Sequence, residues 1–188
     1  MVEETIFAAF REIGRDLFLR GLVSSHGGNM SVRTPQGICI TRTRCMLGRI
    51  TRNDIVEADA VGPGPNDSLA SSELIVHRAI YRSTGAGAVL HAHPPHATLL
   101  SMVRDALVPI DPEGCSLLQK VSIVSVDRTV AAGSPESTGA VSEALRAYGI
   151  VMLKKHGSFA RGDTLEDAYM LTSCLEASSF YLYRLQGL

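Results

Sequence analysis

Two histidines lie one residue apart in Val89-Leu90-His91-Ala92-His93-Pro94-Pro95-His96, at the end of an apolar run. On an extended strand alternate side chains share a face, so His91 and His93 project together. Two imidazoles at that separation repel when protonated but suit one divalent cation when neutral. Pro94 and Pro95 stop the strand and leave the pair at its C-terminal edge, where ligands collect in α/β sheets. His156 also follows an apolar strand pattern and precedes Gly157. Three histidines at strand ends suffice for a catalytic zinc site that keeps one coordination position open. Glu73, at a helix start shortly before the histidine strand, could be a fourth ligand, a general base, or both in turn. Backbone N–H groups of Gly27-Gly28-Asn29 and of Ser71-Ser72 could cradle a phosphate. Singly, each piece also has an ordinary reading: histidines on an exposed edge strand, a turn histidine, a serine that only caps.

The elements that must position these residues follow from periodicity. Ile6, Phe10, Ile13 and Leu17 recur at helical spacing, and Gly21 can close that helix. Asn29 to Thr34 alternates as a strand, Thr34-Pro35-Gln36-Gly37 fits a type I turn, and Gly37 to Thr41 returns as the second strand of a hairpin. A basic loop with Arg42, Arg44, Arg49 and Arg52 leads to a short strand at Ile55-Val56. Val61 to Leu69 is a loop within the domain. Ser71-Ser72-Glu73 offers a hydroxyl cap and an acid in the first turn of a helix over Leu74 to Tyr81, ended by Thr84-Gly85 before the histidine strand. A short helix is predicted at Ala97 to Arg104, a turn at Asp111 to Gly114, and a buried strand at Val121 to Val126. Ser134-Pro135-Glu136 starts a helix that runs to Tyr148. Ile150 to Leu153 is a core strand, and a last helix from Thr164 carries Leu165, Ala168, Leu171, Leu175 and Leu182 on one face. Helices mixed with a hairpin predict an α/β fold: a three-layer α/β/α sandwich around a mostly antiparallel sheet.

The chain has 188 residues, 45% hydrophobic and 20% charged, which fits one globular domain spanning residues 1–188. A net charge of −1 gives no footprint for nucleic acid or an anionic membrane. Its opening residues lack the basic-then-apolar order of a secretory signal, and no apolar run reaches membrane-spanning length. Cys39, Cys45, Cys115 and Cys174 are scattered without a C-x-x-C pair, as in a reduced cytoplasmic protein.

The segments GGNMSVR, ITRT, Ser71-Ser72-Glu73, HAH with its flanks, and HGSFARGDTLEDAY together resemble the class II aldolase/adducin family, nearest its fuculose-1-phosphate aldolases. That resemblance implies one zinc ion per subunit on His91, His93 and His156, with Glu73 as catalytic acid/base. It implies phosphate contacts from Gly28 and Asn29, from Thr43 and Arg44, and from Ser71 and Ser72. It further implies a C4 homotetramer with active sites between subunits, and a ketose 1-phosphate cleaved to dihydroxyacetone phosphate and an aldehyde. Same-family alternatives are a sugar-phosphate dehydratase and a pentulose-phosphate 4-epimerase. A non-catalytic adducin-like interaction domain ranks last, because such domains lose the metal ligands. Three departures stand out. Arg44 occupies a position where the family's aldolases usually carry glycine, and could strengthen or obstruct phosphate binding. The position of the tyrosine that protonates the aldehyde oxygen falls near Pro112-Glu113, which makes Glu113 the candidate acid. The chain also stops soon after its last helix, so no covering C-terminal tail is expected.

Overall fold

The structure, a computed structural model, describes residues 2–126 and 133–185. Helix α1 (Glu4–Leu19) precedes a hairpin of β1 (Asn29–Thr34) and β2 (Gly37–Thr41), with Thr34 opposite Gly37 as the turn residues require. Two short 3-10 turns, Leu47–Arg49 and Arg52–Asp54, lead into β3 (Ile55–Ala58). Then follow α2 (Leu74–Ser83), β4 (Ala88–Ala92), α3 (Pro95–Ser101), β5 (Ala106–Leu107), α4 (Pro112–Leu117), β6 (Val121–Val124), α5 (Pro135–Ala147), β7 (Ile150–Leu153), β8 (Gly157–Gly162) and α6 (Leu165–Arg184). The strands form one eight-stranded sheet in the order β3-β2-β1-β4-β8-β7-β6-β5. Only β6 and β7 pair in parallel, so the expected mostly antiparallel sheet is observed.

Strand alternation divides the core between the two faces of the sheet. Met30, Leu90, Met152 and Ala160 join α1 and α6 residues such as Phe10, Leu17, Leu165, Ala168, Leu175 and Leu182 on one side. Ile40, Val89, Val151 and Phe159 join Val76 and Ile80 of α2 and Val141 and Leu145 of α5 on the other. These are the three predicted layers. All five residues of β4 are buried because both faces are covered. Each large apolar side chain so buried contributes about 1.5–3 kcal/mol.

Helix ends follow the predicted capping chemistry. Thr164 and Asp167 form a reciprocal capping box at α6, and Ser134 accepts from the Ser137 N–H at α5. Asp111 to Gly114, predicted as a turn, is instead the start of α4: the Asp111 carboxylate accepts from the Gly114 N–H and Pro112 takes the first helical position. Asp-Pro serves either structure, and here the chain continues helically. Helix α3 starts two residues earlier than predicted, because Pro95 takes its first helical position, where its fixed φ suits the helix and its missing N–H costs nothing. Neither the two-residue β5 nor β8 was anticipated. The β8 sequence GSFARG contains no β-branched residue, so its strand character comes from insertion between β4 and β7.

The loop between β3 and α2 is pinned despite its composition. Arg78 of α2, almost fully buried, clamps Asp67 with two bonds of 2.7 and 2.8 Å and donates to the Asp59 carbonyl. That clamp holds the approach to Ser71 and Glu73 against the body of the fold.

Candidate active site

The pairing of β1, β4 and β8 brings the predicted chemistry together. Asn29 lies opposite His91 across one strand pair, and His91 lies opposite Phe159 across the next. His156 sits in the β7–β8 turn, where Lys155 has a positive φ of 66° and Leu153 pairs with Gly157. The metal-ligating atoms of His91, His93 and His156 all lie within 4.8 Å of one another. The His93 and His91 Nε2 atoms are 2.9 Å apart, and the His91 and His156 rings stack at 4.8 Å. His91 stacks its other face on Phe159 at 4.2 Å.

Glycine is required twice here. A side chain at Gly157 would meet the Ala92 carbonyl oxygen at 2.4 Å and the His93 ring at 2.6 Å. Gly28 has a φ of +76°, and a Cβ there would lie 2.8 Å from the His91 carbonyl oxygen. Backbone at both positions therefore reaches the histidine cluster more closely than any other residue would allow.

Tautomers follow from the partners. The His91 Nδ1 lies 2.8 Å from the Ser158 carbonyl, which only accepts, so Nδ1 carries the proton and Nε2 presents a lone pair. That lone pair faces the Glu73 Oε2 at 3.4 Å, an acceptor opposite an acceptor in a buried place. The other carboxylate oxygen is 3.2 Å from the His156 Nε2. Imidazole nitrogens and a carboxylate converging in this way fit a divalent cation. The donor set passes on its own chemistry.

Electrostatics agree with that arrangement. Burial pushes the His91 imidazole down to about 3, despite the opposing pull of Glu73, and burial also lowers His93. Both are therefore neutral near pH 7, as metal binding requires. Burial raises the Glu73 carboxyl, while its hydrogen bonds with His156 and the Asn29 amide pull it the other way, below the usual carboxylate range.

A cleft of about 370 Å³ opens over the cluster and is lined by Gly28, Asn29, Thr43, Arg44, Ser71 and Ser72 together with Glu73, His91, His93 and His156. All the predicted anion-binding positions thus border one space with the histidine cluster. Details differ from expectation. The Ser71 backbone N–H donates to the Thr41 carbonyl, and that of Thr43 to the Leu69 carbonyl, so neither remains for a phosphate. Ser71 does not cap α2 at its first turn; its hydroxyl accepts from the Glu73 N–H. Glu73 occupies the cap position without a capping bond, which frees its carboxylate for the cleft. The Asn29 amide donates to Glu73 at 2.7 Å, so that side chain serves the carboxylate. Glu113 is exposed on α4 and does not line the cleft of its own chain.

Sequence reasoning missed three buried side chains behind Glu73: Ser31, His77 and Tyr81. The available signal was a four-residue recurrence, Glu73-His77-Tyr81, facing the alternation Asn29-Ser31.

Comparison with known proteins agrees with the geometry. Residues 8–181 match the sequence profile of the class II aldolase and adducin N-terminal domain. The chain is 32% identical over 168 residues to L-fuculose phosphate aldolase of Methanocaldococcus jannaschii, covering 89% of this chain and 90% of that one. It is similar to the crystal structure of L-fuculose-1-phosphate aldolase from Thermus thermophilus, with a TM-score of 0.93, 38% identity, and coverage of 98% and 95%. It is also 27% identical over 183 residues to 3-oxo-tetronate 4-phosphate decarboxylase of Haemophilus influenzae, covering 94% and 86%. With its sheet, its histidine cluster and a matching profile over nearly its whole length, the chain belongs to the class II aldolase and adducin N-terminal domain family.

Proposed function

We propose that this lyase is a zinc-dependent aldolase cleaving a ketose 1-phosphate of the fuculose-1-phosphate type to dihydroxyacetone phosphate and an aldehyde. The observation that carries the reading is the Glu73 carboxylate, held within 3.4 Å of the His91 and His156 nitrogens at the floor of a cleft that also contains Arg44, Ser71 and Ser72. His91, His93 and His156 would hold the cation, and an all-imidazole set suits zinc. When bound, such an ion supplies Lewis-acid stabilisation of negative charge on the substrate oxygens. Glu73 moves the proton at the carbon beside the carbonyl: in cleavage it passes a proton taken up from solvent to that carbon, and in synthesis it removes one. Screening ketose 1-phosphates with coupled detection of dihydroxyacetone phosphate tests this. An isomer, loss of water or release of carbon dioxide instead would assign an epimerase, dehydratase or decarboxylase and overturn the aldolase reading.

Arg44 binds the phosphate in this reading. Its backbone has a φ of +58°, a region that costs a non-glycine residue about 1–2 kcal/mol. An Arg44→Gly exchange removes that strain and adds about 0.5–1 kcal/mol of chain entropy. Stability, measured by denaturant titration, should therefore hold or rise slightly. KM for the sugar phosphate should rise about tenfold, the weight of a charge-assisted bond. An unchanged KM would remove Arg44 from the phosphate site.

Glu113, in the same reading, reaches the aldehyde oxygen of a neighbouring copy within a C4 homotetramer. Leu99, Met102, Val103, Val108, Ile110 and Leu117 are exposed on the stretch around it, an apolar surface fit for burial between subunits. Light scattering at micromolar concentration should give four times the chain mass; a fully active monomer would exclude the shared site. Among the described residues no helix is long and apolar enough to cross a membrane, and all four cysteines are free. We place the enzyme in the cytoplasm on that chemistry.

A further inference from the structure

Behind Glu73 five side chains from two elements interlock. Asn29 and Ser31 share one face of β1, and Glu73, His77 and Tyr81 recur every fourth residue along one side of α2. Asn29 Nδ2 is 2.7 Å from Glu73 Oε2, His77 Nε2 is 2.6 Å from Asn29 Oδ1, Ser31 Oγ is 2.6 Å from His77 Nδ1, and Tyr81 OH is 2.8 Å from Ser31 Oγ. All five residues are buried, with Ser31 and His77 fully inaccessible.

The proton directions can be worked out from the Glu73 end. An amide nitrogen only donates, so Asn29 donates to the carboxylate and turns its oxygen to His77. An amide oxygen only accepts, so His77 Nε2 carries a proton. Burial keeps the His77 imidazole neutral, pushed down to about 4, so Nδ1 is left as an acceptor. Ser31 therefore donates to Nδ1, and Tyr81 donates to Ser31. Every donor points towards Glu73. Flipping the Asn29 amide would set oxygen against carboxylate oxygen at 2.7 Å. Isolated polar groups here would be costly, and apolar side chains fill the same helix at Val76 and Ile80.

We propose that His77 is a positioning residue for the Glu73 carboxylate: fixed in its Nε2–H tautomer by Ser31 and Tyr81, it locks the Asn29 amide so that its NH₂ group orients the carboxylate in the cleft. This rests on Glu73 as the proton carrier. His77 does not line the cleft, so its effect falls on turnover rather than on substrate binding.

Nitrogen-15 NMR of the full chain at neutral pH decides the first half. The expected His77 signature is a protonated Nε2 with a bare Nδ1, shifting towards mixed tautomers in Ser31→Ala. An Nδ1–H tautomer or an imidazolium in the wild-type chain would overturn the proposal, as would an unchanged tautomer in Ser31→Ala. Solvent-deuterium exchange of dihydroxyacetone phosphate by the zinc-loaded chain decides the second half. His77→Leu fills the space but cannot donate, and should lose kcat for exchange by about 10²-fold with little change in KM. His77→Gln keeps a donor for Asn29 and should recover most of that loss. Normal kcat in folded His77→Leu, or equal losses in both variants, would overturn the positioning role. Should His77→Leu fail to fold, Ser31→Ala gives the same split, and normal kcat there counts against the role. No exchange by the wild-type chain would sink the reading of Glu73 instead, while the tautomer still reports whether His77 orients Asn29.

Discussion

A Glu73→Gln protein is expected to keep its metal and bind substrate, yet lose about 10²–10⁴-fold in turnover, the usual contribution of a positioned general acid–base group. Glutamine preserves the size of the side chain and an acceptor oxygen, but it cannot take a proton. The cleanest readout is exchange of the dihydroxyacetone phosphate proton with deuterated solvent, which needs no aldehyde partner. Exchange should collapse in Glu73→Gln and persist in Glu113→Gln, whose carboxylate lies outside the cleft of its own chain. If Glu73 served only the start of α2, its replacement would cost about 0.3–1 kcal/mol of stability and leave exchange unchanged. The structure already makes that lesser role a poor fit, because Glu73 forms no capping bond. Near-normal exchange by metal-loaded Glu73→Gln would end the proposed mechanism.

Loss of one histidine should be as severe. His156→Ala is the most informative change, because its side chain is about one-third exposed in a turn, whereas His91 is buried and stacked on Phe159. Truncation at the turn should leave the fold intact. A bound cation contributes several kcal/mol to stabilising developing charge, so activity should fall about 10³-fold or more. Zinc should raise the melting temperature of the wild-type chain, since only the native state assembles the cluster, and that rise should vanish in His156→Ala. Full metal occupancy in the variant would refute the ligand assignment.

The histidine cluster was legible because its signals are local. Alternation places His91 and His93 on one face, and an apolar strand ending at Leu153 announces a turn at His156. The partner of His156 in space, by contrast, depends on β8, whose sequence has no β-branched residue and whose place between β4 and β7 is a tertiary fact. The same holds for Asp111 to Gly114, where one set of capping residues serves a turn and a helix alike. Polar residues on α2 escaped notice for another reason. Helical periodicity alone gives Tyr81 and His77 no partners; these come from Ser31 and Asn29 of a strand more than forty residues earlier. Glu113 was legible as a residue type but not as a location.

The sheet order has a consequence for synthesis on the ribosome. Strand β4, which carries His91, pairs on one side with β1 but on the other with β8, some 66 residues later. While the intervening segment emerges, β4 is an edge strand with unpaired backbone groups and an apolar sequence, the kind of edge that recruits other chains. The complete histidine cluster cannot exist until that gap is closed. Nascent chains are therefore most exposed to mispairing during the interval before they can acquire metal, and late insertion of β8 ends both conditions at once.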